Sequence, residues 1–224
     1  MSATALQSEH IVSLKKTVFT TRLIKANGLD PDDFQSWAFW PGMLFNSADK
    51  WWGDYGRREF PHEGIDFCLY KDLSGRVRRL DEQTRIPVMH DGVVRALYND
   101  YLGHAVVLEH ENIPGRNGKM LSVYAHTKPD ADIRPGVFVK AGDIIATIAD
   151  TRRSKANILP HLHISFGVPS PTLVYNPFVW NSMRDPQLVR LRDPLELIDR
   201  PHVVLDFQDQ NRPFKVRPTN GAVS

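Results

Sequence analysis

The stretch from Gly92 to Ala125, GVVRALYNDYLGHAVVLEHENIPGRNGKMLSVYA, decides the fold. It holds three runs rich in β-branched or aromatic residues, at 92–98, 105–110 and 121–125. The intervals between them are too short for crossover helices, so the strands must run mainly antiparallel. Asn117-Gly118, within 114–119, marks the turn of a hairpin joining the last two runs. Residues 138–140, 144–149 and 161–166 read as further strands. Sixteen prolines interrupt the chain and argue against long helices. The expected fold is therefore mainly β: an antiparallel sheet with short flanking helices.

Outward from this core the chain divides into an N-terminal extension (1–52), a main domain (53–200) and a C-terminal tail (201–224). Within the main domain, 55–168 carries the motifs and 169–190 is an aromatic insertion that either walls a groove or covers the sheet edge. In the extension, Asp30-Pro31-Asp32-Asp33 predicts a helix over 31–39, with Asp as cap and Pro at the first position. Trp37, Trp40, Trp51 and Trp52 pack this leader onto the core, or line a groove. Asp193–Ile198 predicts a short terminal helix, and 208–224 an extended or frayed end.

The 224 residues are enough to bury a sizeable core. Lys+Arg 28 against Asp+Glu 26 leaves a net charge of +2, and no basic block stands out, so a nucleic-acid partner is not expected. Cys68 is the single cysteine, so the fold uses no internal disulfide, and Cys68 reads as a small buried hydrophobe. No run nears the ~20 apolar residues needed for a transmembrane helix. The N-terminus as given has no basic start followed by an apolar stretch, so it does not read as a secretory signal.

Two clusters carry chemistry. The first is His62-Glu-Gly64-Ile-Asp66-Phe67, the second His161-Leu-His163-Ile-Ser-Phe166, and Tyr124-Ala-His126 lies between them. His161 and His163 are two apart in a strand-like segment, so both rings face one side of a sheet. On spacing alone the pair reads as two surface histidines on an exposed face; if buried, the imidazoles need partners for their nitrogens, and a metal is one such partner. His62 and Asp66 are four apart, with Gly64 favouring a bent, extended path. An imidazole and a carboxylate both suit zinc. One nitrogen from the second cluster would complete three protein ligands and leave the open position of a catalytic site. HExxH chemistry is excluded, because position 66 is Asp and Glu63 then reads as an exposed neighbour. His10, His90, His104 and His202 lack partners at ligand spacing and read as structural or surface residues.

HEGIDF (62–67), YAH (124–126) and HLHISF (161–166) match, in order, the motifs of the lysostaphin-type, LytM-like zinc endopeptidases, and the chain resembles that family over about 55–168. The stretch Val139–Ala146 resembles its V-x-x-G-D-x-I-A step. The resemblance implies one zinc ion held by His62, Asp66 and His163, with His126 and His161 as the catalytic histidines. It also implies a peptide or peptidoglycan substrate, cleavage of short Gly- or Ala-containing bonds, and a place in the cell envelope or outside the cell. A non-catalytic wall-binding or hydrolase-regulating module is the alternative, disfavoured by the presence of all five residues. A biotinyl- or lipoyl-like carrier hairpin around 139–149 lacks an attachment lysine at a tight turn.

Overall fold

The computed structural model describes residues 15–29, 33–111, 113, 118–151, 154–156 and 158–206. The strands are β1 (Ser36–Phe39), β2 (Ile65–Phe67), β3 (Leu69–Lys71), β4 (Val77–Arg79), β5 (Arg85–Pro87), β6 (Gly92–Asn99) and β7 (His104–His110). After them come β8 (Met120–Pro129), β9 (Phe138–Val139), β10 (Ile144–Ile148), β11 (Leu162–Pro169), β12 (Val189–Arg192) and β13 (His202–Val204). The helices are α1 (Phe19–Ala26) and α2 (Trp180–Arg184). The mainly β, antiparallel architecture is as the sequence predicts.

The large sheet runs β12-β11-β8-β7-β6-β9, and β8 also pairs with β10, which in turn pairs with β5. The far edge of β11 is shared: β2 covers its first half and β12 its second. A smaller sheet runs β13-β1-β3-β4, in which only β1 and β13 are parallel. Alternation along β7 explains how two cores form. Val106 and Leu108 join the main core with α1 and the small sheet, whereas Ala105 and Val107 join a second cluster. Phe178, Met183 and Val189 close that second cluster, so the insertion covers the other face of the sheet.

Two local expectations are corrected. Residues 33–39 form no helix; the chain there leads into β1, while 31 and 32 lie outside the described residues. Ser36–Phe39 are all buried, and β1 is paired on both edges, by β3 and β13. Those ladder bonds and the two-sided burial override the helix-start cues. The predicted helix at 193–198 is a single 3-10 turn, Pro194–Glu196, capped by Asp193, which accepts from Leu195 N at 2.9 Å. The Asn117 turn, His10 and the end 208–224 lie outside the described residues.

Cys68 is buried, as expected. His104 and His202 are exposed, whereas His110 is buried against Ser122. His90 Nε2 is buried without a hydrogen bond, and its ring lies 5.7 Å from that of His110. Burial, then the neighbouring His110 and Arg22, push the His90 pKa down to about 4 against the pull of Asp91. The folded state thus takes up this proton less readily than the unfolded chain, so stability falls as pH drops from about 6.5 towards 4. Chemical denaturation across that range should show a shallower fall in His90→Phe than in the parent. Metal-site titrations are common to both proteins and cancel in the difference; equal slopes would refute the assignment.

Candidate metal centre and its cavity

β2 and β11 pair with Asp66 directly opposite His163, so the two side chains share one face of the sheet. Such close pairing needs Gly64, since a Cβ there would lie 2.0 Å from the Ile164 carbonyl oxygen. His62 precedes β2 and is fixed by the leader: its N–H donates to Ser47 O at 2.9 Å, and its carbonyl accepts from Asn46 N at 2.8 Å. The three side chains converge. His62 Nε2 lies 3.0 Å from His163 Nδ1 and 3.2 Å from Asp66 Oδ1, and the latter two are 2.9 Å apart. Among the described residues, His62, Asp66 and His163 form the group whose donor atoms could hold one metal ion, all within 4.8 Å of one another and buried.

The donor set fits a small divalent cation. Tetrahedral ligands at about 2.0–2.1 Å from zinc stand roughly 3.3 Å from one another, and the observed separations are close to that. The outward atoms are also secured. His62 Nδ1 donates to Leu44 O (3.0 Å), which leaves Nε2 as a lone pair. His163 Nε2 contacts Ser165 Oγ at 2.8 Å, and Trp51 Nε1 donates to Asp66 Oδ2 at 2.7 Å. Burial alone would raise the Asp66 carboxyl, but His62, His161 and His163 outweigh it and hold the group well below the ordinary carboxylate range.

The two remaining histidines face the same centre. His161 lies two residues before His163, and its Nε2 is 3.9 Å from Asp66 Oδ1. Its Nδ1 donates to Leu159 O at 2.8 Å, so Nε2 keeps its lone pair. Burial drives its pKa down to about 3, with Asp66 opposing and His126 assisting, so the ring is neutral at pH 7. His126 stands in β8 with φ at +61°, the left-handed region that non-glycine residues seldom adopt. The β7–β8 register shifts between His104 and Val106, beside this residue. The resulting bulge aims the ring at the centre, 4.8 Å from the His161 ring. Asp100 meets it from behind: Oδ2 accepts from His126 N at 2.8 Å, and Oδ1 lies 3.2 Å from Nδ1 at an oblique angle.

His62, Asp66, His126, His161 and His163 thus all line one cavity of about 280 Å³. Its walls include Trp52, Arg58, Trp180 and Arg184. From the leader side, the Arg58 guanidinium lies 4.3 Å from the Trp52 ring centroid. Its Nη2 donates to Gly42 O at 3.0 Å and stands 3.8 Å from Asp66 Oδ2. From the insertion, Trp180 sets its ring edge-to-face on His163 at 5.2 Å. The insertion therefore does both things that the sequence left open: β12 covers the β11 edge, and Trp180 and Arg184 wall the cavity.

Glu63 corrects an expectation. It is 7% exposed rather than a surface neighbour, because Arg184 Nε reaches back from α2 and ion-pairs with it. Burial opposes its charge, but His163 and Arg184 prevail and lower its pKa. Trp51 and Asp100 were missed as site residues. Trp51 reads only as one of four tryptophans that pack the leader or line a groove, and nothing in the local sequence marks Asp100.

The sequence matches the family model "Peptidase family M23" over residues 61–172. No curated protein matches it. Solved structures similar to the chain include Csd3 of Helicobacter pylori, at 20% identity over 59% of this chain, with a TM-score of 0.32. Lysostaphin is 18% identical over 77% of this chain (TM-score 0.41), and the catalytic domain of the prophage-encoded M23 protein EnpA from Enterococcus faecalis is 20% identical over 62% (TM-score 0.35). The chain spans 31% of Csd3, 62% of lysostaphin and 90% of the EnpA domain.

Proposed function

From the premise that this chain belongs to peptidase family M23, we propose that it is a zinc-dependent endopeptidase. Its substrates are short Gly- or Ala-containing peptide bonds of the kind that cross-link bacterial cell walls, and its working place is the cell envelope or beyond it. The observation that carries this reading is the convergence of His62 Nε2, Asp66 Oδ1 and His163 Nδ1 inside a cavity open to a peptide. These three residues are the proposed ligands of a single zinc ion. Among the described residues no helix is long and apolar enough to cross a membrane.

When bound, zinc supplies Lewis-acid polarisation of a water and of the scissile carbonyl. The chain's own residues do the rest. His161, with Nδ1 tied to Leu159 O, presents a bare Nε2 and takes a proton from the attacking water. His126, on the facing wall, donates a hydrogen bond to the oxygen on which negative charge grows. Trp52 and Trp180 line the cavity and limit the water that reaches it.

The test is hydrolysis of cross-linked wall peptides, followed by release of free amines, with and without a chelator. Turnover should cease on chelation and return with one equivalent of zinc. His161→Ala should keep its zinc and lose about 10²–10⁴ in kcat, the range for a positioned proton acceptor. Unchanged turnover in that variant would remove His161 from the reaction. Binding of wall peptides without any hydrolysis would favour the non-catalytic module instead.

A further inference from the structure

The structure assigns Asp100 as the positioning residue for His126, a carboxylate that holds the imidazole by both its backbone and its ring. The inference rests on the peptidase reading for its consequence, though not for its geometry. Asp100 closes the loop between β6 and β7, and its side chain is wholly buried. One oxygen, Oδ1, accepts from Leu102 N at 2.8 Å and Gly103 N at 2.7 Å. The other, Oδ2, accepts from His126 N at 2.8 Å. The loop bonds alone would explain an ordinary turn. They do not explain why the carboxylate also stands 3.2 Å from His126 Nδ1.

Three further observations point the same way. His126 Nδ1 is buried and without a hydrogen bond of good geometry, and Asp100 Oδ1, 3.2 Å away, is the acceptor within reach. His126 adopts a left-handed backbone, which costs of order 1–3 kcal/mol unless its surroundings hold it. The Asp100–His126 N–H bond and the bond from Ala149 N to His126 O, at 2.8 Å, are what hold it. Finally, among the described residues no lysine or arginine lies within ion-pair distance of this carboxylate. Burial would raise its pKa, yet contact with His126 and with backbone N–H groups lowers it instead.

The consequence is a fixed tautomer. A carboxylate accepts and cannot donate, so Nδ1 carries the proton and Nε2 is the atom turned to the cavity. His161 is fixed in the same sense, by a carbonyl rather than a carboxylate. The difference lies in charge. Asp100 stabilises an imidazolium at His126, whereas Leu159 O can only orient a neutral ring at His161. The site thereby separates a proton acceptor from a charged donor.

Zinc-loaded, full-length protein with ¹⁵N-labelled histidine tests this by long-range ¹H–¹⁵N spectra of the rings. His126 should show a protonated Nδ1 in the parent and lose that preference in Asp100→Asn. The asparagine has one acceptor oxygen in place of two and no charge, so it cannot serve the loop and the ring at Oδ1 and the His126 N–H at Oδ2 together. On cross-linked wall peptides, kcat should fall about 10–100-fold in Asp100→Asn, with KM within about twofold and zinc retained. In a His126→Ala background the same substitution should add no further loss in kcat. A His126 ring protonated at Nε2 alone in the parent, or an undiminished effect of Asp100→Asn without His126, would overturn the assignment. Because the spectra read the ring directly, a parent protein that hydrolyses nothing would fail the peptidase reading and leave this test intact.

Discussion

Asp66→Ala should contain less than a tenth of the zinc held by the parent protein and show no measurable hydrolysis of wall peptides. Asp66 is the one anionic member of the proposed ligand set, and its Oδ1 lies 2.9 Å from His163 Nδ1 and 3.2 Å from His62 Nε2. Two imidazoles would remain. If a three-residue site draws its affinity roughly evenly from apparent zinc-binding energies of about 10–16 kcal/mol, losing one ligand costs some 3–5 kcal/mol, or 10²–10⁴ in affinity. The structural effect should be smaller. In the metal-free protein Asp66 is a buried charge held by histidines and Trp51 Nε1, so its loss orphans the indole but also removes a desolvated anion. Thermal melts with and without zinc separate the two effects. The parent should gain stability on adding zinc and Asp66→Ala should not. A full complement of zinc in the variant, by elemental analysis, would end the proposed ligand assignment.

The parts of the molecule that were legible in the sequence are those written locally. β6, β7 and β8 alternate or run apolar over seven to ten residues, so period and residue type agree. The His62/Asp66 and His161/His163 spacings likewise placed pairs of side chains on one face before any tertiary contact was known. What stayed hidden depends on distant partners. β1 was read as helix because its local cues favour one, and only pairing with β3 and β13 makes it a strand. Glu63 reads as a surface residue in its local sequence because its partner, Arg184, is 121 residues away. Trp51 offers an indole N–H to Asp66 fifteen residues on, a contact that an aromatic-rich leader does not announce. Asp100 sits in an Asp-x-x-Gly turn whose local bonds would explain an ordinary turn, and its link to His126 arises only when β8 bulges. Chemistry carried by side chains at a fixed spacing is readable in one dimension. The atoms that orient it are not, because each reaches across the fold from a segment with an adequate local explanation of its own.

Gly64→Ala should damage both fold and metal centre, although it adds a single methyl group and removes no donor. A Cβ at position 64 would stand 2.0 Å from Ile164 O, 2.6 Å from Ile164 C and 2.9 Å from His163 Nε2. The first two are backbone atoms of β11 and cannot swing aside as a side chain can. β2 must therefore lift away from β11, and that ladder is what sets Asp66 opposite His163. Overpacking in a tight core costs about 1–3 kcal/mol; with rigid backbone on the other side, the upper end is expected. For a chain of this size, about 3 kcal/mol lowers the melting temperature by roughly 6–12 °C. Gly56→Ala is the control, since a Cβ there meets only the Asp54 side chain, at 3.2 Å. It should melt within about 2 °C of the parent and bind zinc normally. If Gly64→Ala also melts within that margin and keeps its zinc, then β2 and β11 do not pair as closely as described. The geometry that brings Asp66 to His163 would fall with them.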